Sequence, residues 1–147
     1  MTSLSAAPIV VGTDGSPAAH TAVEVAAREA AAARQALRIV YVARPESTRD
    51  DAALIVSAAA EQSRAAAPGV PVSTAVISGD PVLILRATSR AAGLIVLGEP
   101  ARPAGHGGWG TLPERVAAHA SCPVLVGPGY AGAGGSARRP VYPAAER

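Results

Sequence analysis

Strand-like and helix-like segments alternate along this chain from residue 9 to residue 126, and that alternation constrains the fold more tightly than anything else in the sequence. Short Val/Ile/Leu runs are each followed by a longer Ala-rich stretch with helix punctuation, the pattern of helices covering a parallel sheet. With 147 residues there is room for one core and too little chain for two ordinary domains. The expectation is an α/β fold: a single open parallel five-stranded sheet with helices on both faces.

Ile9-Val10-Val11 reads as a short buried strand that breaks at Gly12-Thr13-Asp14-Gly15. Ser16-Pro17 then supplies an N-cap and a first-turn proline for a helix to about Gln35. Residues 37–42 form the second strand. Ser47 with Asp50 resembles a capping box, opening a helix to Ala67 that Pro68-Gly69 stops. Residues 70–78 are the third strand, Asp80-Pro81 caps a helix to Ala92, and Gly93 closes it with a residue suited to a left-handed turn. Leu94-Ile95-Val96-Leu97 is a continuous apolar strand of the kind covered on both faces. Thr111 and Glu114 form a second capping box at the start of a short helix to about Ala120, and residues 123–126 are the fifth strand. Past Gly127 apolar periodicity ends. The domain is thus expected over 8–130, between a flexible N-terminus (1–7) and a disordered tail (131–147).

Composition narrows the chemistry. Phe is absent and aromatics are 3%, so a chain that is 49% hydrophobic must build its core from Ala, Val, Leu and Ile. All thirteen basic residues are Arg, which excludes a phosphate-loop lysine, a Schiff base and a lysine general base together. The formal charge of +2 resides in the tail, at Arg138, Arg139 and Arg147 against Glu146, and the remainder is neutral. No basic stripe interleaved with aromatics marks a nucleic-acid surface. A single cysteine, Cys122, forms no internal disulfide, no signal-peptide pattern opens the chain, and no apolar run reaches the roughly 18 residues of a membrane helix. A cytoplasmic protein with no membrane and no nucleic-acid partner is expected.

Ligands of open parallel sheets bind at the carboxyl ends of strands, where the strand order reverses. Two loops qualify. The first, residues 12–16, carries Asp14, which either accepts hydrogen bonds from a ribose or an adenine amino group or fixes the turn. The second, residues 98–111, holds Gly98, Gly105, Gly107, Gly108 and Gly110 ahead of the Thr111 helix, whose free amides would make an anion site. Its Gly105-x-Gly107-x-x-Gly110 spacing is a weak dinucleotide fingerprint, lying eight residues past its strand. His20, His106 and His119 have no metal-ligand spacing, so no metal site is expected. Cys122, between a helix end and an apolar strand, reads as a small core residue.

Three pieces taken together resemble the universal stress protein family over about residues 8–127: Ile9-Val10-Val11-Gly12-Thr13-Asp14-Gly15-Ser16, Leu94-Ile95-Val96-Leu97-Gly98, and Gly110-Thr111 with Cys122-Pro123-Val124-Leu125-Val126. The resemblance implies strand order 3-2-1-4-5, with the reversal between strands one and four. It also implies ATP, or AMP or ADP in its place, with Mg as an optional companion. Adenine and ribose would lie near Asp14, with Thr13 and Gly12 beside it and Val42 of the second strand. Phosphates would lie over a Gly-x2-Gly-x9-Gly-Ser/Thr loop. Gly98 matches the first glycine and Gly110-Thr111 the last pair, whereas Ala101 stands at the second glycine and the following segment is one residue shorter. Pro113, after Leu112, removes an amide, and Glu99 adds a negative charge that Arg102 offsets. The implied binding set is Gly12, Thr13, Asp14, Val42, Gly98, Arg102, Gly108, Gly110, Thr111 and Leu112.

The resulting expectation is an ATP-binding stress-response sensor or adaptor with little or no catalysis and no catalytic residue. The alternative is a homodimeric interaction module of the same family that has lost ATP binding. Both carry a second copy as partner, through the edge strand Pro123 to Val126, and a further protein partner of unstated identity. An enzyme of another class on a similar sheet is a third reading, for which no residue set speaks.

Overall fold

The computed structural model describes residues 7–98, 111–127 and 141–145. Five parallel strands, β1 (Ile9–Thr13), β2 (Leu37–Ala43), β3 (Val72–Ser78), β4 (Leu94–Gly98) and β5 (Val124–Gly127), lie in the order 3-2-1-4-5. Helices α1 (Pro17–Ala33), α2 (Arg49–Ala66), α3 (Pro81–Thr88) and α4 (Leu112–Ala117) cover the two faces. A sixth strand, β6 (Val141–Tyr142), joins β5 antiparallel, with Val124 opposite Tyr142 and Leu125 opposite Val141. The expected order of the five parallel strands holds, with a short antiparallel sixth strand added at its edge, and residues 141–142 of the tail expected to be disordered form that strand beside β5.

Alternation along each strand sorts the core into two layers. Val11, Ile39, Val96 and Leu125 pack with Ala22, Ala26, Ala27 and Ala30 of α1 and with Ala59 and Ala60 of α2. Their neighbours Val10, Val40, Ile95 and Val124 face the other way, onto Val82 and Leu85 of α3 and Val116 and Ala117 of α4. The four α1 alanines are fully buried, and a stripe of such small side chains is how a chain without Phe brings a helix close to its sheet. Gln62 Nε2 of α2 donates to the His20 carbonyl at 2.7 Å and ties the two helices of that layer together.

The caps explain the helix starts. Ser16 Oγ accepts the Ala19 amide and Asp80 Oδ1 accepts those of Val82 and Leu83, each followed by the proline that the sequence placed at the first turn. At α2 the cap lies one residue later than expected. Thr48 Oγ1 accepts the Asp51 amide, because Ser47 Oγ is engaged by the Tyr41 hydroxyl at 3.0 Å and the Arg44 amide at 3.0 Å. After Thr88 the chain tightens into a 3-10 turn, Ser89–Ala91, where one longer helix was expected. Gly93 is not left-handed: its amide donates to the Pro8 carbonyl, and a Cβ there would lie 3.2 Å from the Ala7 carbonyl oxygen.

Candidate functional site

β2 lies on one side of β1 and β4 on the other, so the connections leaving β1 and β4 diverge to opposite faces and open a crevice at their carboxyl ends. A cleft of about 800 Å³ occupies that position. Its floor is Gly12, Thr13 and Asp14 of the β1 end, and its apolar wall is Val40, Val42, Leu85 and Leu97. Ser16 to Ala19 at the start of α1, Gly98, and Leu112 and Pro113 of α4 close the other sides.

The β1 turn is held by its own side chains. Thr13 Oγ1 accepts the Gly15 amide at 3.2 Å, and Asp14 Oδ1 accepts the Ser16 amide at 2.9 Å. Gly15 sits at φ +81°, where a side chain would be strained and would also crowd Ile55. Asp14 therefore does fix the turn, with one oxygen. Asp14 is exposed and lines the cleft, and its Oδ2 has no hydrogen-bond partner among the described residues, so the carboxylate keeps capacity to accept a hydrogen bond from a ligand hydroxyl or amino group.

Of the ten residues expected to bind a nucleotide, Gly12, Thr13, Asp14, Val42, Gly98 and Leu112 all line this one cleft. Thr111 does not line it but caps the helix that does. Arg102, Gly108 and Gly110 lie outside the described residues. Gly98 has a packing reason for lacking a side chain: a Cβ there would come within 2.7 Å of the Ala18 carbonyl carbon and oxygen. This approach of β4 to the first turn of α1 narrows the cleft.

The anion site expected at the start of α4 is largely spent within the protein. Thr111 Oγ1 accepts the Glu114 amide at 3.3 Å, Glu114 Oε1 accepts the Thr111 amide at 3.1 Å, and Pro113 has no amide. Among the described residues, Leu112 alone keeps a first-turn N–H without a partner. Sequence reasoning passed over Arg44, which supplies the only cation among the described lining residues. It follows β2 by one residue, in a turn fixed by Ser47, and its position past a strand end was the signal available for finding it. Of the apolar wall residues, the sequence marks Leu97 only as part of a covered strand and does not single out Leu85.

Other groups carry no comparable chemistry. Cys122 is buried, its Sγ donates to the Pro123 carbonyl, and burial pushes its thiol up to about 11, with a backbone hydrogen bond from Ile95 offsetting part of the rise. It stays protonated and unreactive at neutral pH. No group of three His, Cys, Asp or Glu able to hold a metal ion occurs among the described residues, and no described helix is long and apolar enough to cross a membrane.

Parallel strands in the order 3-2-1-4-5 with a cleft at the reversal point define a doubly wound α/β fold. Within that class, the model of the universal stress protein family matches residues 6–128, and the chain belongs to that family. Among solved structures, a universal stress protein in complex with cAMP is 29% identical, with TM-score 0.74, covering 86% of this chain and 100% of the other. A Mycobacterium tuberculosis H37Rv protein is 32% identical, with TM-score 0.58, covering 78% of this chain and 90% of the other. The Archaeoglobus fulgidus universal stress protein in complex with dAMP shares the fold at 22% identity and TM-score 0.64, covering 82% and 97%. Comparison with curated protein sequences yields no match.

Proposed function

We propose that the cleft binds an adenine nucleotide and that the protein acts as a non-catalytic regulatory sensor or adaptor. The observation that carries this reading is the placement of Thr13 and Asp14 on the floor of the switch-point cleft, against an apolar wall that includes Val40 and Val42. The likeness to a universal stress protein in complex with cAMP supports the same ligand class. Asp14 is the sole carboxylate among the described lining residues, and neither a lysine nor a histidine joins it, which speaks for binding over hydrolysis.

Calorimetric titration of the purified chain with AMP, cAMP, ADP and ATP tests the reading. At least one should bind with micromolar to sub-millimolar affinity, and Asp14→Ala should weaken it tenfold or more while circular dichroism stays unchanged. Failure of all four to bind at millimolar concentration would sink it. Rapid ATP turnover that Asp14→Ala abolishes would sink the non-catalytic part alone.

A second copy of the chain is the further partner we infer, through β5. Its four residues, Val124, Leu125, Val126 and Gly127, contain no charge and no proline, two of the devices that ordinarily keep a sheet edge from pairing, although β6 lies beside Val124 and Leu125.

A further inference from the structure

Alternation along β2 divides its side chains between the two faces of the sheet. Tyr41 and Ala43 pack with Ala52 and Val56 of α2, while Val40 and Val42 belong to the apolar layer under α3 and α4 and form part of the cleft wall. Arg44 continues the second series one residue past the strand end, and it lines the same cleft. The chain therefore carries a guanidinium where a ligand seated on Val40 and Val42 reaches the mouth.

The backbone under that side chain is pinned. The Arg44 carbonyl accepts the Ser47 amide at 2.9 Å, the Arg44 amide donates to Ser47 Oγ at 3.0 Å, and the same Oγ lies 3.0 Å from the hydroxyl of Tyr41, a residue only 7% exposed. Pro45, inside this turn, fixes its own φ and stiffens it further. The Arg44 side chain, in contrast, is exposed and makes no hydrogen bond or ion pair among the described residues. A fixed root and an uncommitted head suit a group that engages a ligand. Tyr41, the aromatic residue on the same strand, lies on the other face of the sheet, with its hydroxyl engaged by Ser47.

We propose that Arg44 is the base-recognition residue of the cleft, its guanidinium plane packing over the purine that Val40 and Val42 support from the sheet. This rests on the adenine-nucleotide reading above and adds to it the residue that holds the base. A guanidinium is flat, delocalised and weakly hydrated, so it stacks on an aromatic ring in a way that a compact, strongly hydrated ammonium does not. The methylene stem of Arg44 extends the apolar wall at the same time. Contact with the ring leaves the phosphates out of the interaction, so Arg44 matters as much for a nucleoside as for its nucleotide.

The test is calorimetric titration of the full chain, Arg44→Ala and Arg44→Lys with adenosine and with AMP, circular dichroism confirming that all three are folded. Both substitutions should weaken adenosine and AMP alike, by about tenfold. A loss confined to AMP and restored by lysine would overturn the base contact and assign Arg44 to the phosphate, as would an unaltered chain that binds AMP but not adenosine. Recovery of both ligands in Arg44→Lys would show that charge suffices without the flat group, and would overturn the stacking. Unchanged affinities in Arg44→Ala would overturn the proposal while leaving Asp14 and the nucleotide reading in place. An unaltered chain that binds neither ligand would overturn both.

Discussion

At the scale of single residues, Gly98 shows how one position can look like a ligand glycine and be fixed by packing. The sequence suggests backbone approach to phosphate, whereas the geometry puts a prospective Cβ 2.7 Å from the backbone of Ala18, at the first turn of α1. Backbone cannot swing aside as a side chain can. Gly98→Ala should therefore destabilise the fold by about 1–3 kcal/mol, the usual cost of overpacking, whether or not nucleotide is present. Denaturant unfolding with and without ligand measures it, and a loss confined to ligand affinity would contradict the packing account. Cys122 makes a second residue-level prediction. Burial raises its thiol to about 11 from an unfolded value of 9.0, so the neutral form is favoured in the folded state. The stability this brings is complete below pH 9 and is lost as pH rises toward 11. Tyrosines and arginines also titrate at high pH, so the informative quantity is the difference between the native chain and Cys122→Ala. Urea midpoints at pH 8 and pH 10.5 should fall further in the native chain than in the variant.

At the scale of elements, α4 is the instructive case. Six residues are too few for a helix to stand on propensity alone, and this one is secured by a reciprocal capping box and by burial of Pro113, Val116 and Ala117. Thr111→Ala removes the side-chain acceptor for the Glu114 amide and should cost about 1 kcal/mol, readable as a shift of the denaturation midpoint at unchanged slope. An undiminished midpoint would mean that packing alone holds α4. The element boundaries also show what could be known in advance. Ser16-Pro17, Asp80-Pro81 and Thr111 with Glu114 announced their helices because a cap is a local device, written within four residues. The α2 cap was misplaced by one because Ser47 is taken by Tyr41, six residues away on a strand, and such a tertiary claim leaves no trace in the local pattern. For the same reason β6 was missed: two residues carry no period, and only an available edge makes them a strand. The cleft was legible on its β1 side, where Thr13 and Asp14 sit in one turn, and not at Arg44, Leu85 and Leu97, which share it only because the sheet order brings their strands and helix together.

On the scale of the whole molecule, the sheet is polar: the switch-point cleft opens at the carboxyl ends of the strands, and a second, smaller hollow of about 550 Å³ lies at the opposite end, lined by Arg34, Ala36, Gly69, Val70 and Pro71. The two are separated by the fully buried middle of β1, β2 and β4, where Val11, Ile39, Val40, Ile95 and Val96 are sealed from solvent. A ligand at one end can reach the other only through that buried layer, and close-packed interiors resist rearrangement. Saturating adenine nucleotide should therefore slow hydrogen exchange at the β1 turn, the first turn of α1 and the start of α4, while amides at Gly69 and Val70 keep their rates. At a ligand concentration one hundred times its dissociation constant, global stability should rise by about 2.7 kcal/mol, seen as a higher melting temperature. Protection centred on Gly69 and Val70 would place the ligand in the smaller hollow and refute the assignment of the site to the reversal point. Protection spread evenly over the chain at a raised melting temperature would mean instead that the amides exchange only through global unfolding, and repeating the measurement at lower pH, where exchange through local openings can be resolved, would then locate the site.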